Sequence, residues 1–228
     1  MMLWTSRLWG LAQRSAATLL ELIYPTACSG CGRYGAGMWC STCDASVPWL
    51  REAANVRALD DTGDASVSVY SCGVFADQLR GAVHALKFSA QPQMAALLAP
   101  HLAEVWRAHA IDAHYILAVP LHPSRRRERG YNQSELLARA LSLLVDVPFE
   151  PDALRRTRAT LQQAMLSQAE RSANVAGAFM ADRPLLAGRR VVIIDDVFTT
   201  GSTLAAVAAA CREAGAASVA AMTIARAD

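Results

Sequence analysis

The stretch Val191-Val-Ile-Ile-Asp195-Asp196-Val197-Phe198-Thr199-Thr200-Gly201-Ser202-Thr203 decides how the chain folds. Four consecutive β-branched residues predict a buried strand of a parallel sheet, because a strand covered on both faces has no polar side to alternate with. The strand reading ends at Ile194, and two carboxylates follow at its C-terminal edge, where open α/β sheets bind ligands. Adjacent strand residues point to opposite faces, so the acids are expected where the chain is already turning. Small hydroxyl residues around Gly201 then open a helix, and such a turn offers N–H and O–H donors to a phosphate beside the positive end of the helix dipole. Glycine there is expected to accept a positive φ and to let the anion approach the backbone. Acids beside a phosphate cradle repel most anions, so the ligand must give hydroxyls to the acids and a phosphate to the cradle, as a ribose 5-phosphate does. Neither a Gly-x4-Gly-Lys P-loop nor a Gly-x-Gly-x2-Gly dinucleotide fingerprint occurs, which disfavours nucleoside triphosphate hydrolysis.

Outward from this segment, apolar strands and helices alternate. Ser66 to Tyr70 reads as a strand, Leu79 to Leu86 and Met94 to Ala108 as helices, and Tyr115 to Val119 as a strand. A helix from Gln133 to Leu144, another from Thr203 to Ala214 and a last strand from Ser218 to Ile224 complete the series. The expected fold class is α/β, a parallel sheet covered by helices on both faces, over residues 66–228. Residues 51 to 65 are polar and loop-like, and the long, weakly periodic stretch from Leu154 to Phe179 is expected to be a functional lid.

A second segment, Val119-Pro120-Leu121-His122-Pro123-Ser124-Arg125-Arg126-Arg127-Glu128-Arg129-Gly130-Tyr131-Asn132-Gln133, packs four arginines into five positions. It is read as a loop leaving the same sheet edge, where guanidinium forks grip a diphosphate bidentately. The Val191–Thr203 segment resembles the phosphoribosyl pyrophosphate signature of type I phosphoribosyltransferases. The arginine segment resembles the Pro-Leu-x3-Arg-x3-Arg-Gly-aromatic-Asn-Gln stretch of ComF proteins (ComFC/GntX-like), matching at Pro120, Leu121, Arg125, Arg129, Gly130, Tyr131, Asn132 and Gln133. A third match runs through Arg156, Arg158, Thr160, Gln163, Glu170, Arg171, Asn174 and Phe179, where type I enzymes carry their flexible lid. The resemblance implies that Asp195 and Asp196 hold the ribose hydroxyls and that Thr199, Thr200, Gly201, Ser202 and Thr203 hold the 5-phosphate. It also implies that Arg125 and Arg129 act on the departing diphosphate and that Mg2+ enters with phosphoribosyl pyrophosphate. Lys87 resembles a family position, although a lysine near a helix C-terminus is also an ordinary dipole partner.

Residues 25–50 are a separate module. Cys28-x2-Cys31 and Cys40-x2-Cys43 sit among four glycines and two prolines with no helical period, so a metal must replace the missing core. Four thiolates at that spacing make a closed, structural Zn2+ site, and the isolated Cys72 and Cys211 read as buried thiols. This usage suits a reducing, cytoplasmic compartment. Residues 1–24 carry Trp4, Leu8, Leu11, Leu19 and Leu22 at helical spacing and are expected to form an amphipathic helix. They also imitate a lipoprotein leader, but Arg14 and Glu21 interrupt the apolar stretch, and no window supplies a transmembrane segment. His84, His101, His109 and His114 lack ligand spacing and read as surface or satisfied core residues, while His122 sits within the arginine segment.

With 22 basic and 20 acidic residues, the chain shows no strong direct nucleic-acid signal. The resemblance implies an association with DNA uptake in competence or with nucleoside metabolism. Two readings stay open: a phosphoribosyltransferase acting on an unidentified acceptor, or a non-catalytic ligand-sensing adaptor for a DNA-processing protein partner.

Overall fold

The computed structural model describes residues 25–51, 55–59, 66–158 and 177–227. The expected helix over 1–24 and the body of the expected lid, with Thr160, Gln163, Glu170, Arg171 and Asn174, lie outside the described residues. A five-stranded sheet runs in the order β1-β2-β7-β6-β3, built from β1 (Val56–Leu59), β2 (Val67–Val74), β3 (Tyr115–Ala118), β6 (Arg190–Phe198) and β7 (Ser218–Arg226). A separate antiparallel pair is formed by β4 (Leu154–Arg156) and β5 (Phe179–Ala181).

Three of the four pairings in the main sheet are parallel. The exception is β1, which pairs antiparallel with β2 and makes the sheet mixed. It arises inside the stretch read as loop-like. Val56-Arg-Ala-Leu59 does not alternate, and only Leu59 of the four is buried, so the strand rests on its ladder with β2.

Helices cover both faces. On one lie α2 (Asp77–Phe88), α3 (Met94–Ala108) and α5 (Gln133–Val145), whose Leu79, Leu86, Leu98, Leu102, Leu137 and Leu141 are fully buried against Val192 and Ile194. On the other, α7 (Ser202–Glu213) places Leu204, Val207 and Ala208 against Val191, Ile193 and Ala221. The split follows strand alternation along β6, which sends odd and even residues to opposite layers. Cys72 and Cys211 are buried, as expected, and burial pushes the Cys211 thiol up to about 12.

The arginine segment is a helix, not a loop. Pro123 occupies the first turn, His122 accepts from the Ser124 N–H, and Gly130 closes the C-terminus at φ 84°, giving α4 (Pro123–Arg129). Helical spacing separates the four arginines. Arg125 and Arg129 share a face as an i,i+4 pair, while Arg126 turns aside to Glu135 at 2.7 Å.

The cysteine module, which includes α1 (Ser41–Ser46), docks on α2 and α3. Ser29 Oγ donates to Gln91 at 2.8 Å, His101 stacks on Trp49 with ring centroids 3.7 Å apart, and His101 Nε2 lies 2.9 Å from Asp44 Oδ1. His101 is therefore a satisfied docking residue. At Gly81, a Cβ would collide with the carbonyl oxygen of Ser29. Because backbone is in the way, Gly81→Ala should force the module off α2 and lower stability by roughly 1–3 kcal/mol. Thermal unfolding is expected to shift down by about 2–4 °C per kcal/mol, and an unchanged midpoint would contradict the contact.

Candidate functional site

A cleft of about 300 Å3 opens at the C-terminal edge of the parallel strands. Its walls include Asp195 and Asp196 from β6, the Thr199–Thr203 turn, Arg125 from α4, Gln133 from α5, Arg156 from β4 and Lys87 from α2. Both acids and all five cradle residues named from the sequence thus meet in one place.

The acids do so while still inside a strand. Pairing with β7 continues through Asp195–Thr223, Val197–Ala225 and Phe198–Arg226, so β6 extends four residues beyond the expected Ile194 end. The chain need not turn at the acids, because neighbouring helices end beside them. Asp195 accepts a 2.9 Å hydrogen bond from Ser134 Oγ in the first turn of α5. Asp196 lies 2.8 Å from Lys87 Nζ in the last turn of α2. Asp196 is 3% exposed, and the atom that meets Lys87 is its Oδ2. Lys87 therefore offsets its charge, and a carboxylate has more acceptor sites than one ammonium fills.

Burial, and next the neighbouring Asp196 charge, push the Asp195 carboxyl up to about 7, against the pull of Lys87 and the Ser134 hydrogen bond. Between the ordinary 3.8 and that value the folded protein holds a proton that the unfolded chain has released. The group's contribution to stability is accordingly full at the acid end and lost as pH rises through about 7. Asp195→Asn should raise the melting temperature of the ligand-free protein at pH 8 by about 2–4 °C, on the order of 1 kcal/mol. The gain should shrink toward zero near pH 4. A variant less stable than wild type at pH 8 would contradict this reading of the pair.

The cradle opens α7 without a side-chain cap. Gly201, at φ 77°, stands at the N-cap and has no side chain with which to cap an amide. Thr200 Oγ1 and Ser202 Oγ sit 3.0 Å apart. First-turn N–H groups of this kind suit an anion. The expected positive φ is present at Gly201, and packing adds a second requirement for glycine. A Cβ at Gly201 would meet Leu59 Cδ2 and, at 2.8 Å, Phe198 Cε2, so protein rather than ligand fills that side.

Arg125 lines the cleft, whereas Arg129 stands behind it, bonded to Gln133 Oε1 with its guanidinium 5.1 Å from the Phe88 ring centre. His122, the N-cap of α4, is not among the lining residues. Arg156 was legible only as part of the lid stretch. Here it joins Arg125 in the cleft, and burial, followed by the Arg125 charge, lowers its pKa against the attraction of Asp195. Lys87 was visible as a helix-end lysine, but nothing local in the sequence pairs it with Asp196.

The four module cysteines converge as expected. All four sulfurs lie within 4.8 Å of one another, with Cys28–Cys43 at 3.7 Å and Cys31–Cys40 at 3.9 Å. A tetrahedral zinc–thiolate site with bonds near 2.3 Å has edges of about 3.8 Å, so the set fits the ion. Backbone N–H groups of Cys40 and Cys43 point at the Cys28 and Cys40 sulfurs, each at 3.4 Å. Burial raises the Cys28 thiol, but the N–H groups of Cys31, Cys40 and Gly30 outweigh it and bring the value down to about 6. Metal analysis of purified protein should find about one zinc per chain, reduced in Cys40→Ser with the sheet still folded. Metal-free native protein of undiminished stability would overturn the structural role.

Among the described residues, no helix is long and apolar enough to cross a membrane. The phosphoribosyl transferase domain family matches residues 131–228. DNA utilization protein YhgH of Salmonella typhimurium is 33% identical over 219 residues, covering 92% of this chain and 88% of that one. The Escherichia coli K12 protein of the same name is 39% identical over 150 residues, 64% of this chain and just under two thirds of the relative, at 66%. Competence protein ComFC of Bacillus subtilis is 26% identical over 221 residues, 93% and 82% of the two chains. Among solved structures, glutamine phosphoribosylpyrophosphate amidotransferase of Bacillus subtilis overlays 62% of this chain and 30% of its own, at 23% identity and a TM-score of 0.41.

Proposed function

The chain belongs to the ComF/YhgH family, and from that premise we propose that its cleft binds phosphoribosyl pyrophosphate with Mg2+ and transfers the phosphoribosyl group to an acceptor. The observation that carries this reading is the junction of an acid pair with an uncapped helix entry. Asp196 is buried with Lys87 Nζ 2.8 Å from its Oδ2 and Asp195 beside it, in the cleft that also holds the α7 N-terminus. Two vicinal ribose hydroxyls add donors to the acceptor sites that Ser134 and Lys87 leave over, and a 5-phosphate accepts from the Thr199–Thr203 turn.

The diphosphate then faces Arg125 and Arg156, two like charges brought together by α4 and β4 in the same cleft. An anion between them offsets both their repulsion and the burial of Arg156. Arg129 acts one step back by holding Gln133 in the wall. Mg2+ supplies neutralisation of the diphosphate charge and takes oxygen ligands, for which Asp195 and Asp196 are the carboxylates at hand.

In the reaction, the bond from ribose C1 to the diphosphate oxygen breaks and a bond from C1 to the acceptor forms. Diphosphate leaves with the bonding electron pair, and the acceptor gives up its proton. The transition state has oxocarbenium character, so no protein nucleophile is needed. The protein contributes orientation and cationic stabilisation of the leaving group.

Relatives named for DNA utilization and competence point to work in nucleoside metabolism or in the handling of incoming DNA, which suits a cytoplasmic protein. The second reading, a ligand-sensing adaptor for a DNA-processing partner, draws on the cysteine module. Its four cysteines are absent from the cleft wall, so the module's outer surface is free of any ligand-binding task there.

Incubation of the protein with labelled phosphoribosyl pyrophosphate, Mg2+ and a panel of bases and amines separates the two. Diphosphate release dependent on one acceptor supports transfer, and tight binding without turnover on any acceptor supports the adaptor. The Asp195→Asn/Asp196→Asn double variant should lose affinity by tenfold or more, since each charge-assisted hydrogen bond contributes about 1.5–3 kcal/mol. Calorimetric titration reads this, with circular dichroism confirming the fold. Equal affinity in a folded double variant would remove the acids from the site.

A further inference from the structure

We infer that Leu59 is a positioning residue for the phosphate turn, acting from the edge strand that follows the cysteine module. This rests on the reading of Thr199–Thr203 as the ribose 5-phosphate cradle.

Leu59 closes β1 and is 6% exposed, although Arg57 and Ala58 beside it are exposed. Its side chain belongs to the same apolar cluster as Leu204 and Val207 of α7, and Phe198 packs against that cluster. At Gly201 the relation becomes specific. The space a side chain would enter is filled by Leu59 Cδ2 on one side and by Phe198 Cε2 at 2.8 Å on the other.

Gly201 has φ 77°, a region glycine enters readily, and the same freedom allows it to leave. A residue with access to many backbone states presents its neighbouring N–H groups in many directions, and binding an anion then costs the entropy of choosing one. Packing two apolar side chains against the Cα removes the alternatives before any ligand arrives. Phe198 comes from β6 itself, but Leu59 comes from a strand three places away in the sheet order. The strap is therefore a tertiary device, and it lies in a segment that carries no residue of the cleft wall.

Leu59→Ala removes the contact and leaves every ligand-facing group in place, whereas Leu59→Met keeps the contact with a different shape. Two readouts on the full chain decide the matter. The first is hydrogen exchange of the amides at 199–202 without ligand, expected to speed up about tenfold in Leu59→Ala, to stay near wild type in Leu59→Met, and to leave residues 191–194 of β6 unchanged. The second is titration with ribose 5-phosphate and, separately, with inorganic pyrophosphate, both with Mg2+. Leu59→Ala should weaken ribose 5-phosphate by about tenfold and pyrophosphate by less than twofold, since misplacement of the cradle concerns one end of the donor.

Unchanged exchange at 199–202 in folded Leu59→Ala overturns the inference, as does equal weakening of both ligands, which marks general loosening. Failure of the wild type to bind ribose 5-phosphate sinks the cradle reading and the positioning role with it. Exchange alone would then report whether Leu59 still orders the turn.

Discussion

Two adjacent carboxylates held at the end of a buried strand are the constraint around which the cleft is arranged. A buried, unpaired carboxylate is costly, and a second one next to it adds repulsion. Lys87 meets this from α2, and the Ser134 hydroxyl meets it from α5. The Lys87 ammonium reaches Asp196 Oδ2 at 2.8 Å and so takes up most of that cost. The site therefore holds a compensated acid pair in which burial favours a proton on Asp195. Stability given up there is the ordinary cost of a preformed polar site.

The cysteine module bears on the same pair through α2. Gly81 lets the Ser29 backbone sit directly on that helix, and Lys87 lies on its last turn. The cluster of four cysteines in residues 28–43 thus sits in a module packed on the helix that delivers the counter-charge. On the opposite layer, β1 packs Leu59 against Gly201 of the Thr199–Thr203 turn. The N-terminal part of the chain, small as its own core is, holds the cleft from both sides.

Much of this was legible in residue types and spacing. The run of β-branched residues, the acids after it and the hydroxyl turn mark β6 and α7 because their local pattern agrees with their tertiary role. The paired C-x2-C knuckles mark themselves by valence and spacing. What escaped depends on partners distant in sequence. Val56–Leu59 has no strand alternation and is a strand only because β2 pairs with it. The β4–β5 pair joins the two ends of the lid stretch, and no local periodicity shows such a ladder. Lys87 and Arg156 enter the cleft through the packing of α2 and β4, so neither carries a local mark of its role. The helix α4 is different, since Pro123 at its start and Gly130 at its end were available as boundary signals.

A crystal structure of the full chain with phosphoribosyl pyrophosphate and Mg2+ tests the central claim most directly. The account predicts ribose hydroxyls on Asp195 and Asp196, the 5-phosphate within hydrogen-bond reach of the Thr199–Thr203 amides, and the diphosphate between Arg125 and Arg156. Ligand bound in any other orientation, with the ribose away from the acid pair or the 5-phosphate away from the α7 entry, would contradict it.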